Sequence, residues 1–310
     1  MKLIRLTTAA ILTATMCLAY FYFFESEHLY ETYRCLRYAR PIYGCYYQMD
    51  LAFTADFFGT VYEGNTRDEQ DRAVLKYGAA EKPLLYFLRD VSTGGVFLDI
   101  GANRGHHSVF MSRYARKIHA FEPYPAVLRV FERTIKLNMI SNIVIHPVGL
   151  GDKNEVLRFY EPSGTNLGAG TFVSEWNTER RQSLELRIVR GDEELNRFGV
   201  RSVDVVKIDV EGFEKPVLHG LAASLRRDRP VVVFELSRHN LSPLLFQSAE
   251  EVWAAFPERY GFLAFKTWDF FTGVYELGNF EEIVRFNEKR QYNVVAFPLE
   301  RDVPRRHPRL

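Results

Sequence analysis

Three cysteines in 310 residues, Cys17, Cys35 and Cys45, are too few for a disulfide framework. No CxxC pair or Cys/His spacing of the zinc-site kind is present, so the sequence shows no metal-ligand pattern. Charge of one sign is missing too. The 40 Lys+Arg against 39 Asp+Glu leave a net +1, without the basic excess that marks a nucleic-acid binder. With 20 Gly and 13 Pro there is no collagen-like or low-complexity tract, and no internal repeat of solenoid length. What remains is ordinary globular composition, 47% apolar and 25% charged, in a length that suits one large domain or two small ones. Cys35 and Cys45 have two readings: a bridge in an oxidising compartment, or small buried thiols.

The one long hydrophobic run lies at the N-terminus. Residues 6–24 follow Lys2 and Arg5, carry no charge, and close on Tyr20-Phe21-Tyr22-Phe23-Phe24 before Glu25 and Glu27. Nineteen residues of helix span about 28 Å, close to the hydrocarbon thickness of a bilayer. The closing aromatics suit the membrane interface. No small-x-small cleavage site follows, so residues 1–24 read as an uncleaved single-pass anchor, with a cleaved signal peptide as the rival. Arg34, Arg37 and Arg40 then follow at helical spacing, to meet lipid headgroups or to form a solvated face.

Beyond residue 50, residues 51–63 read as one or two short strands, and residues 68–91 as helix broken by Gly78 and Pro83. From residue 96 apolar strands alternate with helices. Strands are expected at 96–100, 118–121, 143–148, 184–189, 203–208 and 230–234, and helices at 106–114, 125–139 and 213–225. Further strands follow at 260–265, 270–275 and 292–297, before a basic tail at 301–310 expected to be disordered. The pattern predicts an α/β fold with a doubly wound, mostly parallel sheet.

Ligands of such sheets bind beyond the carboxyl ends of the strands. Four polar groups fall there. Asp99-Ile100-Gly101-Ala102-Asn103-Arg104-Gly105 forms a glycine turn opening a helix, and Glu122 closes the next strand. Gly149-Leu150-Gly151-Asp152 and Asp209-Val210-Glu211-Gly212-Phe213-Glu214 follow later strands. An acid at Glu122 is placed to accept from both hydroxyls of a ribose. Asn103 stands where a dinucleotide loop needs glycine, and the Asp99 carboxylate repels phosphates while suiting an ammonium group. S-Adenosyl-L-methionine has the ammonium and the ribose diol, and no phosphate. Asp99 could instead cap the amides of its own turn.

The blocks Val96-Phe97-Leu98-Asp99-Ile100-Gly101-Ala102-Asn103-Arg104-Gly105, Phe121-Glu122-Pro123 and Val206-Lys207-Ile208-Asp209-Val210-Glu211-Gly212-Phe213-Glu214 resemble the signature of the FkbM family. These are class I, Rossmann-like methyltransferases that use S-adenosyl-L-methionine, many of them on hydroxyl groups of sugars or natural products. The resemblance covers residues 96–236 and implies a methyltransferase domain over 91–300, preceded by an extension at 25–90. It implies that Asp99, Gly101, Asn103 and Gly105 hold the methionine end and Glu122 the ribose, with the Gly149–Asp152 turn beside the adenine. Asp209 would then face the transferable methyl group.

An alcohol is a poor nucleophile until its proton is removed, so a base is required. The candidates are Asp209, Glu211, Glu214, Glu235 and His239, the last with an unperturbed pKa of about 6.5. Glu214 reads equally as a first-turn helix acid, and His239 as a loop residue without a task. The expected reaction is O-methylation, with a saccharide, glycolipid or small metabolite as acceptor, no metal, no nucleic-acid partner and an unassigned oligomeric state. A nicotinamide-dependent oxidoreductase and a non-catalytic membrane-tethered binding protein are the alternatives. Localisation is expected at a membrane. Lys2 and Arg5 oppose Arg34, Arg37 and Arg40 in setting orientation, so the supply of cofactor decides for a cytosolic catalytic domain.

Overall fold

The computed structural model describes residues 50–162, 166, 168–177, 182–236, 242–269, 271–286 and 291–307. The segment 6–24, the three arginines after it, all three cysteines and His239 lie outside these residues. Among the described residues no helix is long and apolar enough to cross a membrane.

The chain opens with an antiparallel hairpin, β1 (Ala52–Phe57) and β2 (Thr60–Asn65), followed by helices α1 (Glu69–Tyr77) and α2 (Lys82–Val91). Asp68 caps α1 by accepting from the Asp71 amide, and Gly78 ends it at φ +81°, in the left-handed region that glycine enters without strain.

An eight-stranded sheet follows. Its strands are β3 (Val96–Ile100), β4 (Lys117–Phe121), β5 (Ile143–His146), β9 (Val205–Ile208), β10 (Val231–Leu236), β11 (Tyr260–Trp268), β12 (Tyr275–Asn279) and β13 (Tyr292–Pro298), in the order β12-β11-β13-β10-β9-β3-β4-β5. Strands β10, β9, β3, β4 and β5 run parallel, and β13, β11 and β12 add antiparallel pairings. Helices α3 (His106–Met111) and α4 (Pro125–Leu137) cross over between the first three strands.

Both faces of the sheet are covered. Along β3, Val96, Leu98 and Ile100 join one core with Phe213, Val217, Leu218 and Phe234. Phe97 points the other way, into a core with Leu84, Phe87, Phe110 and Phe131. That alternation in a strand buried on both sides is what a doubly wound sheet requires. Each such side chain contributes about 1.5–3 kcal/mol by leaving water.

Several expected elements fall differently. The strand near 184–189 is β8 (Ser183–Arg190), which leaves the main sheet for a three-stranded one with β6 (Gly149–Gly151) and β7 (Glu155–Tyr160). Its polar–apolar alternation gives one wet face, unlike the fully buried parallel strands. Helix α5 (Gly191–Arg197) follows it.

The helix expected over 213–225 is two helices, α6 (Glu214–Gly220) and α7 (Ala222–Asp228). At their junction Gly220 packs on β6 so closely that a Cβ would stand 1.8 Å from the Gly151 carbonyl oxygen. The strand expected at 270–275 begins only at Tyr275. The Asp269 carboxylate accepts from the Phe271 and Thr272 amides and makes a turn before it.

The basic tail is ordered through His307. The Leu277 amide donates to the Arg305 carbonyl, the His307 amide donates to the Tyr275 carbonyl, and Arg301 donates to the Asp204 carbonyl at 2.7 Å. Two further short helices, α8 (Ala249–Ala254) and α9 (Phe280–Ile283), flank β11 and β12.

Candidate active site

The chain runs outward from β3 through β4 to β5, then returns to β9 on the other side of β3. The carboxyl ends of β3 and β9 therefore flank the switch point where open α/β sheets bind ligands. The glycine turn sits there. Gly101 has φ +77°, and a Cβ on it would lie 1.8 Å from the Asp209 carbonyl oxygen; at Gly105, φ +84°, it would meet the Phe131 ring at 2.0 Å. Both positions admit only glycine.

Asn103, at φ +50°, donates its amide to Glu122 Oε2 at 2.9 Å, while the Tyr124 amide donates to Glu122 Oε1 at 2.8 Å. Glu122 is buried, which pushes its carboxyl up to about 7 against the pull of those two amides. The side-chain oxygen of Asn103 is buried without a hydrogen-bond partner.

Turn and acids line a cleft of about 590 Å³, in the range of small-molecule sites. Phe121, Leu150, Phe159 and Phe172 form an apolar wall. Asp209, Glu211 and Glu235 gather at the other end, one carboxylate oxygen from each lying within 4.8 Å of the others. Asp209 and Glu211 share the loop after β9, and Glu235, 24 residues further on, meets them because β9 and β10 are parallel neighbours. Glu211, held at φ +49°, is pushed up to about 8, first by burial and then by Asp209 and Glu214. Burial, with Asp209 and Glu211 as neighbours, also raises Glu235 well above the carboxylate range. Glu69, Glu81 and Glu122 bring the lining carboxylates to six, and no Lys, Arg or His is among the described lining residues.

Two expected contacts are corrected. Asp99 does not reach the cleft: it is fully buried, accepts from Ser108 Oγ at 2.6 Å, and has Lys207 Nζ at 3.9 Å. Strand parity explains this, since Asp99 shares the face of Phe97, the side on which α3 packs. Asp152 lines a separate cleft with Lys153, Arg158 and His219, because β6 ends at Gly151 and the next residue turns outward into solvent. Gly149 and Leu150 of the same turn do line the main cleft.

Glu214 resolves into a loop tie: its Oε1 accepts from the Val210 and Gly212 amides, and it is not among the lining residues. His106 and His107 are buried beneath the site. His106 Nε2 lies 3.0 Å from the Ala80 carbonyl oxygen and His107 Nε2 lies 3.3 Å from Glu81, and burial lowers both rings to about 3.

Four contributors had no assigned role in the sequence. Glu69 and Gln70 of α1 line the cleft from a segment with no motif, and Glu81 does so from a left-handed backbone at φ +46°. Lys207 is 3% exposed and donates to Asp209 Oδ2 at 3.1 Å. A lysine inside an apolar strand was the available signal, because lysine is almost never buried unless paired.

The family model of the methyltransferase FkbM domain matches residues 99–264, more than half of the chain. Methyltransferase 1 of Beauveria bassiana is 32% identical over 145 residues, 40% of this chain and 57% of that protein. The hexuronic acid methyltransferase AglP of Haloferax volcanii is 31% identical over 148 residues, 47% of this chain and 58% of that protein. The chain thus spans a little under three fifths of the length of these two relatives. Among solved structures, a methyltransferase FkbM from Methylobacillus flagellatus aligns with 73% of this chain and 53% of its own at 14% identity, with a TM-score of 0.43. On the extent of the domain match, this chain belongs to the FkbM methyltransferase family.

Proposed function

We propose that this methyltransferase uses S-adenosyl-L-methionine and transfers the methyl group to an uncharged hydroxyl on a saccharide, glycolipid or small metabolite. The observation that carries the reading is the acidic lining of the cleft: six carboxyl groups and no Lys, Arg or His among the described residues line it. Such a lining suits a cofactor with sulfonium and ammonium groups and opposes the pyrophosphate of a nicotinamide dinucleotide. The orphaned Asn103 oxygen is free to accept from the ammonium group, and each Glu122 oxygen keeps a second lone pair for a ribose hydroxyl. Phe121, Leu150, Phe159 and Phe172 suit a flat heterocycle.

The cofactor, when bound, supplies a methyl group on a sulfonium that leaves as a neutral thioether. The protein's part is alignment and proton removal. Glu211 and Glu235 are our candidate bases, because neither carboxylate is tied to a donor among the described residues and Glu211 titrates near neutrality. Asp209, held by Lys207, orients rather than accepts the proton. The acceptor's oxygen forms the new carbon–oxygen bond as its proton passes to the carboxylate.

We further propose that residues 6–24 anchor the chain in a membrane with the catalytic domain on the cytosolic face, where the cofactor is made. Carbonate extraction and protease treatment of sealed vesicles test this. Release into the soluble fraction would remove the anchor, and protection of the domain inside the vesicle would reverse the orientation. For the activity, extracts supplied with methyl-labelled cofactor should yield a labelled product by mass spectrometry. Failure to bind S-adenosyl-L-methionine in a calorimeter would overturn the reading.

A further inference from the structure

One wall of the cleft comes from a part of the chain outside the matched domain. Glu69, Gln70, Ala73, Ala80 and Glu81 line it, whereas the domain match begins at residue 99. Two side chains, one in the glycine turn and one in the helix it opens, clamp this wall in place. Arg104 donates to Asp71 Oδ2 at 2.6 Å, and His106 Nε2 lies 3.0 Å from the Ala80 carbonyl oxygen. Asp71 also accepts from the Tyr62 hydroxyl, so the hairpin holds α1 as well.

Within this fixed wall two polar side chains do no visible structural work. Gln70 Oε1 is buried and has no hydrogen-bond partner, which is unfavourable unless a ligand supplies a donor. Glu81 precedes α2, where a side chain ordinarily caps the helix amides from an extended backbone. Its backbone is instead left-handed at φ +46°, a strained conformation for a residue with a Cβ, and its carboxylate makes no capping bond. His107 Nε2 lies 3.3 Å from it, and burial, which lowers that ring to about 3, keeps the imidazole neutral. Burial first, then Asp209, Glu211, Glu214 and Glu81, raise Glu235, so the Glu81 charge stands at the acid end of the cleft.

We propose that Gln70 and Glu81 bind the methyl acceptor through its hydroxyl groups, so that the extension before the family domain determines which acceptor is taken. The assignment rests on the transfer to a hydroxyl proposed above. The Glu81 carboxylate accepts from a hydroxyl, and the Gln70 amide can both accept and donate. Together they fit an uncharged acceptor with more than one hydroxyl and oppose an acidic one, which Glu81 and Asp209 would repel. Glycine would relieve the left-handed corner but would remove the carboxylate. Local strain of this kind persists where a side chain has a task beyond the fold.

The test gives the full chain, in mild detergent, methyl-labelled S-adenosyl-L-methionine and a dilution series of cell extract. Labelled product read by mass spectrometry yields the half-saturating amount of extract, and calorimetry on the same samples yields the cofactor Kd. Glu81→Gln should need about tenfold more extract for half-saturation and Gln70→Leu about fivefold, with cofactor Kd within about twofold of the unaltered protein. Glu81→Gly separates side chain from backbone. Its Tm should be no lower, because glycine suits the corner, yet it too should need about tenfold more extract. Unchanged half-saturation in the Glu81 variants, a cofactor Kd that weakens as much as half-saturation, or a fall in the Tm of Glu81→Gly overturns this inference while leaving the methyl-transfer reading intact. No labelled product from the unaltered chain overturns both.

Discussion

The two ends of the cleft are built on opposite rules. At the glycine-turn end the two acids that flank the turn, one in the cleft and one buried beneath it, are tied. Asp99 accepts from Ser108 and faces Lys207, and Glu122 accepts from two backbone amides. At the other end Glu211 and Glu235 project toward one another with no donor on either carboxylate among the described residues, and burial lifts both. A tied carboxylate is a binding device with fixed geometry and charge. An untied one near its neighbours is a proton acceptor whose charge depends on what enters the cleft. The protein thus separates holding from reacting by how its acids are partnered.

That division predicts different failures at the two ends. Glu211→Gln and Glu235→Gln should lower kcat by about 10²–10⁴ for the residue that is the base. Cofactor affinity should change only a few-fold, which a labelled-product assay and calorimetry on the same samples would separate. Equal loss of affinity in both would erase the distinction.

At the tied end, Gly101→Ala forces a Cβ into the Asp209 carbonyl at a left-handed φ. It should weaken cofactor binding about a hundredfold, from roughly 3 kcal/mol of strain and displacement. Glu122→Ala comes next. Losing charge-assisted hydrogen bonds to the ribose should weaken binding about tenfold to a hundredfold, at roughly 1.5–3 kcal/mol per bond. An unchanged Kd would remove Glu122 from the site.

The smallest effect is on stability against pH. Glu122 and Glu214, raised to about 7, and Glu211, raised to about 8, bind protons more tightly folded than unfolded. Their contribution is fully present below the unfolded carboxylate range and is lost as pH rises through 7 and 8. Below the ordinary histidine range an opposing contribution enters. His106, His107 and His146, lowered to about 3, 3 and 4, stay neutral when folded and are protonated when unfolded. Between about pH 4.5 and 6.5 the two sets offset one another, so stability without cofactor should be level there, and Tm should drop by about 5 °C by pH 8.5. Differential scanning calorimetry would check this, and a Tm rising through that window would contradict the burial of these acids.

Much of this was legible in the sequence, and the misses have a common cause. The β3–turn–α3 unit, Glu122 at the end of β4 and Asp209 at the end of β9 were all readable, because short-range patterns of apolar runs, glycine and strand-end acids encode them. Parity hid the burial of Asp99: a residue at a strand's end can point into the site or under it, and the packing of α3 decides which. The meeting of Asp209 and Glu211 with Glu235 depends on strand order, which no local spacing records. Glu81 and the α1 wall come from a segment with no motif, placed by its hairpin. There Asp71 accepts from the Tyr62 hydroxyl, the Asn65 amide and Arg104 of the glycine turn. The tail looked disordered from its charge alone, yet its backbone supplies bonds that β12 lacks on its outer side.

Strand β13 has a consequence for how the chain assembles. It is the last strand in sequence, yet it lies inside the sheet, paired with β10 on one side and β11 on the other. The β11–β12 hairpin joins the sheet only through it. During synthesis the five parallel strands and their helices can form while β11 and β12 wait as an open ladder beside an unfilled slot. Insertion of β13 closes both edges in one event, and its contacts with β10 span a loop of more than fifty residues. Such late, non-local closure is slow and leaves unpaired strand edges exposed to other chains in the interval. A lesion in β13 would therefore first appear as aggregation of newly made protein, before any effect on a molecule already folded.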